Sequence, residues 1–147
     1  MNLASVGGFL GVMAITLGTL GVHGLGGQLP EKAQGWWETA TLYLLAHAAV
    51  VTALGVAPKR WRLPGWLFAP GAAIFAGTLY AMALGGPRWL GAVTPVGGTL
   101  MLFGWGAVFI LGMVNAREQD GVGRDASDQP ASAVSAAAEK PSTSSIV

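Results

Sequence analysis

The sequence predicts an all-α membrane protein: an up-down bundle of four transmembrane helices followed by a disordered C-terminal tail. Three observations carry that expectation. Only 10% of the 147 residues are charged, where a soluble domain carries about 25%. The charges are also gathered, so that residues 1–30, 39–58, 63–87 and 89–116 hold none. Each of these stretches reaches the roughly 20 apolar residues that cross a bilayer. Five of the six tryptophans (Trp36, Trp37, Trp61, Trp66 and Trp89) fall at the ends of the stretches, where indole rings settle at headgroup level.

The first span is expected over Leu3–Val22. It lacks a basic n-region and no A-x-A-like site follows it, so it reads as a retained helix rather than a cleaved signal. The second span is expected over Thr39–Val56, the third over Leu67–Leu84 and the fourth over Leu90–Met113. Barrel strands are excluded, because they are about ten residues long and alternate strictly. Continuous apolar runs in lipid satisfy their backbone as helices. The loops, Gly24–Glu38, Pro58–Gly65 and Gly85–Trp89, are short, which makes consecutive helices antiparallel. Residues 1–115 thus form the membrane domain. Residues 116–147 form a polar tail rich in Ala and Ser, with too little apolar surface to offset its ordering entropy.

Orientation follows from the cations. With four spans the N-terminus, loop two and the tail share one side, which holds Lys59, Arg60, Arg62, Arg117 and Arg124. The opposite side holds Lys32 and Arg88. The positive-inside rule then puts both termini of this multi-pass protein in the cytoplasm.

Small residues supply the packing surfaces. There are 23 glycines, more than twice the usual frequency of about 7%. Gly7, Gly11 and Gly18 share a face of the first helix, Ala69, Ala73 and Gly77 form a row on the third, and Gly97 and Gly104 align on the fourth. Such faces let helix backbones approach closely. A face left over would serve self-association or a membrane-protein partner. The bilayer itself is the expected surrounding, and nucleic acid is excluded by the composition.

Chemistry-bearing residues are few. No cysteine is present, which excludes disulfides, thiolate metal sites and cysteine nucleophiles. Ser5 is the one serine before the tail and every aspartate lies in the tail, so a Ser–His–Asp system is excluded. No phosphate loop, nucleophile elbow or His-Glu-x-x-His motif occurs. His23 and His47 differ in depth and lack a third ligand, so neither a metal nor a cofactor is expected. His47 is the notable residue. It lies nine residues from Glu38, roughly 13 Å below the interface at the α-helical rise. An ionisable group at that depth is a functional hypothesis by default. Tyr43 precedes it by four and shares its helix face. The simplest role for His47 is a hydrogen bond to another helix that locks the packing; a proton relay or ligand contact is the sharper alternative. Glu38 at the mouth of the second helix suits the helix dipole or an ion pair with Arg88 or Lys32.

The residues together resemble one family, the small bacterial inner-membrane proteins catalogued as domain of unknown function four hundred and twenty-three, whose eukaryotic relatives include transmembrane protein 256. The resemblance covers about residues 3–114. It rests on Phe75-Ala76-Gly77-Thr78-Leu79-Tyr80 and on the block Arg88-Trp89-Leu90-Gly91-Ala92-Val93-Thr94-Pro95-Val96-Gly97-Gly98. Gly18 through Leu25, ending His23-Gly24-Leu25, is similar to the family's first-helix ending. Glu38-Thr39-Ala40 with Tyr43 and His47-Ala48 is similar to its second-helix opening. Leu42, Leu44 and Ala46 stand where the family often has basic, polar or aromatic residues. The resemblance implies a multi-span helical membrane protein and no reaction. It directs attention to a candidate polar cluster of His23, Glu38, Tyr43, His47, Tyr80, Arg88, Trp89, Thr94 and Pro95, with Glu38 and Arg88 joining loops one and three.

Two function classes follow. The leading one is a non-enzymatic structural or accessory membrane component. The alternative is a small oligomeric permease or channel-like protein using a polar layer around His47. A lipid- or quinone-directed enzyme ranks last, because few groups are available to form an acid–base set.

Overall fold

A computed structural model describes residues 2–25 and 27–127, with side chains described as far as residue 117. Four α-helices run in chain order: α1 (Leu3–Thr19), α2 (Glu31–Val56), α3 (Arg62–Ala83) and α4 (Leu90–Ser127). A π-helical turn, Leu20–Gly24, extends α1, and a 3₁₀ turn, Lys59–Trp61, leads into α3. Contacts divide the chain into two units, Met1–Ile110 and Leu111–Val147. All four spans are long and apolar enough to cross a membrane.

The helix ends have local causes. Asn2 caps α1, its side-chain oxygen accepting the Ser5 backbone N–H at 2.8 Å, which satisfies one of the first-turn donors. α3 ends in a Schellman turn. The Gly86 N–H reaches the Ala81 carbonyl at 2.8 Å and the Gly85 N–H reaches Met82 at 3.1 Å. Gly85 adopts φ +87° there, a conformation that a side chain disfavours. Pro87 follows and prevents continuation.

Two helix bounds differ from the sequence expectation. α2 begins at Glu31, not at Thr39. Pro30 sets the backbone just ahead of it and Glu31 lies in the first turn, where the dipole favours a carboxylate. Charge ends the apolar run there but does not end the helix. α4 runs to Ser127, through the first part of the segment expected to be a disordered tail from residue 116. Ala116, Arg117, Glu118 and Gln119 are good helix formers, no proline intervenes before Pro130, and extending a formed helix is inexpensive. The remainder of that tail, residues 128–147, lies outside the described residues.

The up-down order is read from the contacts. A side chain at Gly7 would meet the backbone of Thr52, and one at Gly55 the backbone of Ala4. This runs α1 antiparallel to α2. Thr41 bonds Tyr80 and His47 packs on Phe68, which reverses α3. A side chain at Gly97 would meet Phe75, and one at Gly104 the Phe68 ring, which reverses α4. The glycine faces expected on α1 and α4 are therefore the packing faces. The row expected on α3 is split: Ala69 is buried, whereas Ala73 and Gly77 are exposed, and a side chain at Gly77 would meet open space. Ala69 joins Phe68, Gly71, Ala72 and Ala76 on the buried face. Half of α3's apolar span is buried, against 22% for α1 and 28% for α2, so α3 is the most enclosed of these three. Large apolar side chains such as Phe9, Leu42, Leu102 and Phe109 point outward, as a lipid surrounding requires.

Candidate functional site

The interior polar groups fall into two layers. The first lies near the start of α2. The Trp37 indole N–H donates to the Leu17 carbonyl at 2.9 Å, where the α-helical ladder of α1 gives way to the π turn. The Leu25 N–H there reaches back five residues to Leu20 at 2.9 Å. A side chain at Gly21 would collide with the Trp37 indole, so the glycine admits the ring and the ring takes a carbonyl. The Thr41 hydroxyl donates to the Trp37 carbonyl at 2.9 Å. Its proton is thereby used, so the Tyr80 hydroxyl is the donor in the 2.9 Å bond between Tyr80 and Thr41. Tyr80 also meets Trp37 edge-on, with ring centroids 4.6 Å apart. On the far side of α3, Thr78 and Thr94 share a hydrogen bond of 2.8 Å.

The second layer surrounds His47, which is 7% exposed. Its Nδ1 lies 2.8 Å from the Tyr43 carbonyl. A carbonyl only accepts, so Nδ1 carries a proton, and in the neutral ring Nε2 is then an acceptor. Nε2 is buried and has no partner among the described residues. Three aromatic rings lie beside the imidazole, with centroid separations of 5.4 Å for Phe68, 6.3 Å for Trp105 and 6.0 Å for Tyr43, the last nearly parallel. His47 thus bonds within its own helix, and the expected hydrogen bond to another helix is not made.

The nine candidate residues do not converge. Tyr43 and His47 belong to the second layer and Tyr80 to the first. Thr94 joins α4 to α3, one turn from the helix start, while Pro95 beside it is exposed. His23, Glu38, Arg88 and Trp89 are exposed. Glu38 accepts from Gln34 within α2 at 2.9 Å. It borders a cleft of 460 Å³ between the π turn and α2. Lys32 and Arg88 border a different cleft, between the start of α2 and the end of α3. Among the described residues no group of three metal-ligating side chains gathers.

Trp37 and Thr41 are the residues the sequence reading missed. Trp37 was expected in the headgroup belt; it is 4% exposed and bonded. The signal was present in the spacing of Ala33, Trp37, Ala40, Leu44 and Ala48, which fall on one helix face. Trp36 falls off it, half-buried, with the Lys32 ammonium 5.3 Å from its ring.

Comparison with known proteins adds to this geometry. Residues 17–98 match the family model described as protein of unknown function (DUF423). The chain belongs to this family. Among DUF423-like relatives, the UPF0382 membrane protein SERP0230 of Staphylococcus epidermidis is 38% identical over 104 residues, covering 68% of this chain and 85% of that protein. The UPF0382 membrane protein YwdK of Bacillus subtilis is 30% identical over 106 residues, covering 68% and 86%. The UPF0382 membrane protein C1782.12c of Schizosaccharomyces pombe is 32% identical over 121 residues, covering 75% and 100%. No solved structure matches. The DUF423 match contains both ends of every interhelical bond described above, from Leu17 to Thr94. Trp105 lies beyond it.

Proposed function

We propose that this integral membrane protein is a non-enzymatic structural or accessory component of the bacterial inner membrane, with both termini cytoplasmic. One observation carries the reading. Each sequential helix seam has an interhelical hydrogen bond: Trp37 to Leu17 between α1 and α2, Tyr80 to Thr41 between α2 and α3, and Thr94 with Thr78 between α3 and α4. These polar groups hold neighbouring helices together, His47 excepted, which suits a compact scaffold. Lys59 and Arg60 between α2 and α3, with Arg62 opening α3, support the orientation through the positive-inside rule. The outward Ala73 and Gly77 on α3 are the surface this reading offers to a membrane-protein partner or a second copy.

A second reading, a small oligomeric permease or channel-like protein, is favoured by one feature, the buried and unpartnered Nε2 of His47. Reconstitution into liposomes separates the two. On the scaffold reading, liposomes holding the protein retain an imposed proton gradient as long as empty ones do, and His47→Leu changes nothing. A leak that His47→Leu abolishes overturns the scaffold reading in favour of the second.

A further inference from the structure

The cleft between the π turn and α2 has the build of an amphiphile site. Its volume, 460 Å³, falls in the range of roughly 300–1,000 Å³ that small-molecule sites occupy. Its rim is apolar and exposed: Val22, Leu42 and Leu45. Trp37 and Thr41 line its inner wall, both of them fixed by the first hydrogen-bonded layer. Gly18 and Gly21 lie on the α1 side, where a side chain would strike Thr41 and Trp37. The two glycines let Thr41 and Trp37 close against α1 and its π turn, which gives the cleft a fixed floor.

The polar groups of the cleft are gathered at one end. Gln34 and Glu38 stand one turn apart, and the Gln34 amide donates to one Glu38 carboxylate oxygen at 2.9 Å. The other oxygen has no hydrogen-bond partner among the described residues. From Glu38 to the end of α2 at Val56 the helix rises about 27 Å, close to the roughly 30 Å of hydrocarbon in a bilayer. Glu38 therefore stands at the headgroup boundary. Thr41, Leu42 and Leu45 descend from it by one to two turns, into the hydrocarbon. A molecule following this cleft carries a polar head at Glu38 and an apolar body below, which is the form of a membrane lipid.

The charge selects the head. A carboxylate at a low-dielectric boundary favours an ammonium bearing N–H donors through a charge-assisted hydrogen bond. It repels a head whose only charge is a phosphate. Lys32 and Arg88 border the other cleft, and among the described residues neither forms an ion pair with Glu38. We propose that this cleft seats one acyl chain of a lipid with a primary-amine headgroup, its ammonium against Glu38.

The test uses the full chain in nanodiscs of phosphatidylcholine doped equally with phosphatidylethanolamine and phosphatidylglycerol. Native mass spectrometry then reads the lipid that stays bound. The expected result is one retained phosphatidylethanolamine, favoured about tenfold over phosphatidylglycerol, the discrimination of one charge-assisted bond. Glu38→Gln removes the preference and leaves a lipid retained. Val22→Trp fills the cleft from its exposed rim and removes retention; Leu42→Trp does the same from the α2 side and stands in should the first variant fail to fold. Equal retention of both lipids by the parent chain overturns the proposal. So does retention that survives both tryptophan variants, which would place the lipid elsewhere, the Lys32–Arg88 cleft included.

Discussion

In the layer around Trp37 the polar atoms point at one another across helices. Around His47, ten residues further along α2, they do not. The first layer links three helices through the Leu17 carbonyl, the Trp37 indole and the hydroxyls of Thr41 and Tyr80. The second has an imidazole that bonds back to its own helix, leaves its other nitrogen without a partner and packs beside aromatic rings. The contrast shows that depth in the membrane does not decide what a polar group does. A bond between helices resists their separation; a bond within one helix does not. A buried acceptor without a partner forfeits about 1–3 kcal/mol, so the His47 layer is held by packing alone.

Trp37→Ala breaks the contrast most severely. It removes a buried ring from between α1 and α3 and leaves the Leu17 carbonyl without its indole donor. A loss of about 3–5 kcal/mol is expected, measured by unfolding in a bilayer mimetic. Trp37→Phe keeps most of the ring and deletes the donor. It should cost about 1 kcal/mol, since interhelical bonds in membranes are modest. A Phe variant as damaged as the Ala variant would mean that the bond, and not the ring, holds the π turn.

The Tyr80–Thr41 bond tests the network at finer scale. Tyr80→Phe and Thr41→Val should each cost about 0.5–1.5 kcal/mol. Thr41→Val should cost more. It strands the Tyr80 donor and takes a donor from the Trp37 carbonyl, whereas Tyr80→Phe only exposes a lone pair on Thr41. The double variant should fall short of the sum, because both changes remove the same bond. Strict additivity would show that the two hydroxyls act separately.

His47→Leu sharpens the comparison from the other side. It deletes the unpartnered nitrogen and fills the space with a side chain of similar bulk. Stability should stay within about 0.5 kcal/mol of the parent or rise, since replacing an unsatisfied polar group with an apolar one is near-neutral or favourable. A loss as large as that of Trp37→Phe would mean that Nε2 has a partner in the bilayer.

The sequence reads the fold well and the site poorly, for one physical reason. Spans announce themselves through long runs without charge, and lipid gives such runs a single solution. The faces of α1 and α4 were legible because Gly7, Gly11 and Gly18, like Gly97 and Gly104, repeat at helical spacing. The same rule misplaced the α3 face, since Ala73 and Gly77 repeat as regularly but point outward. In lipid an outward face is satisfied by anything apolar, small or large, so spacing does not tell a packing face from an exposed one. Trp37 was hidden for a related reason. An indole near a span end suits the headgroup level and the protein interior alike, and the arbiter was a glycine, Gly21, on another helix.

The smallest expected effect concerns Glu38 and Arg88. Both are exposed, and they border different clefts. A polar cluster joining loops one and three would make Glu38→Ala and Arg88→Ala destabilise the bundle similarly and non-additively. The geometry gives the opposite expectation. Glu38 bonds to Gln34 within α2, so its removal takes away an exposed intrahelical bond. Arg88 lies beyond the Schellman turn that ends α3, so its removal leaves that turn intact. Each change should stay within about 0.5 kcal/mol, as for exposed positions generally, and the double variant should equal the sum. Coupling between them, measured in the same unfolding assay, would restore the joined cluster. It would also supply Glu38 with a cation from the protein itself and remove the reason for an amine headgroup to seek it.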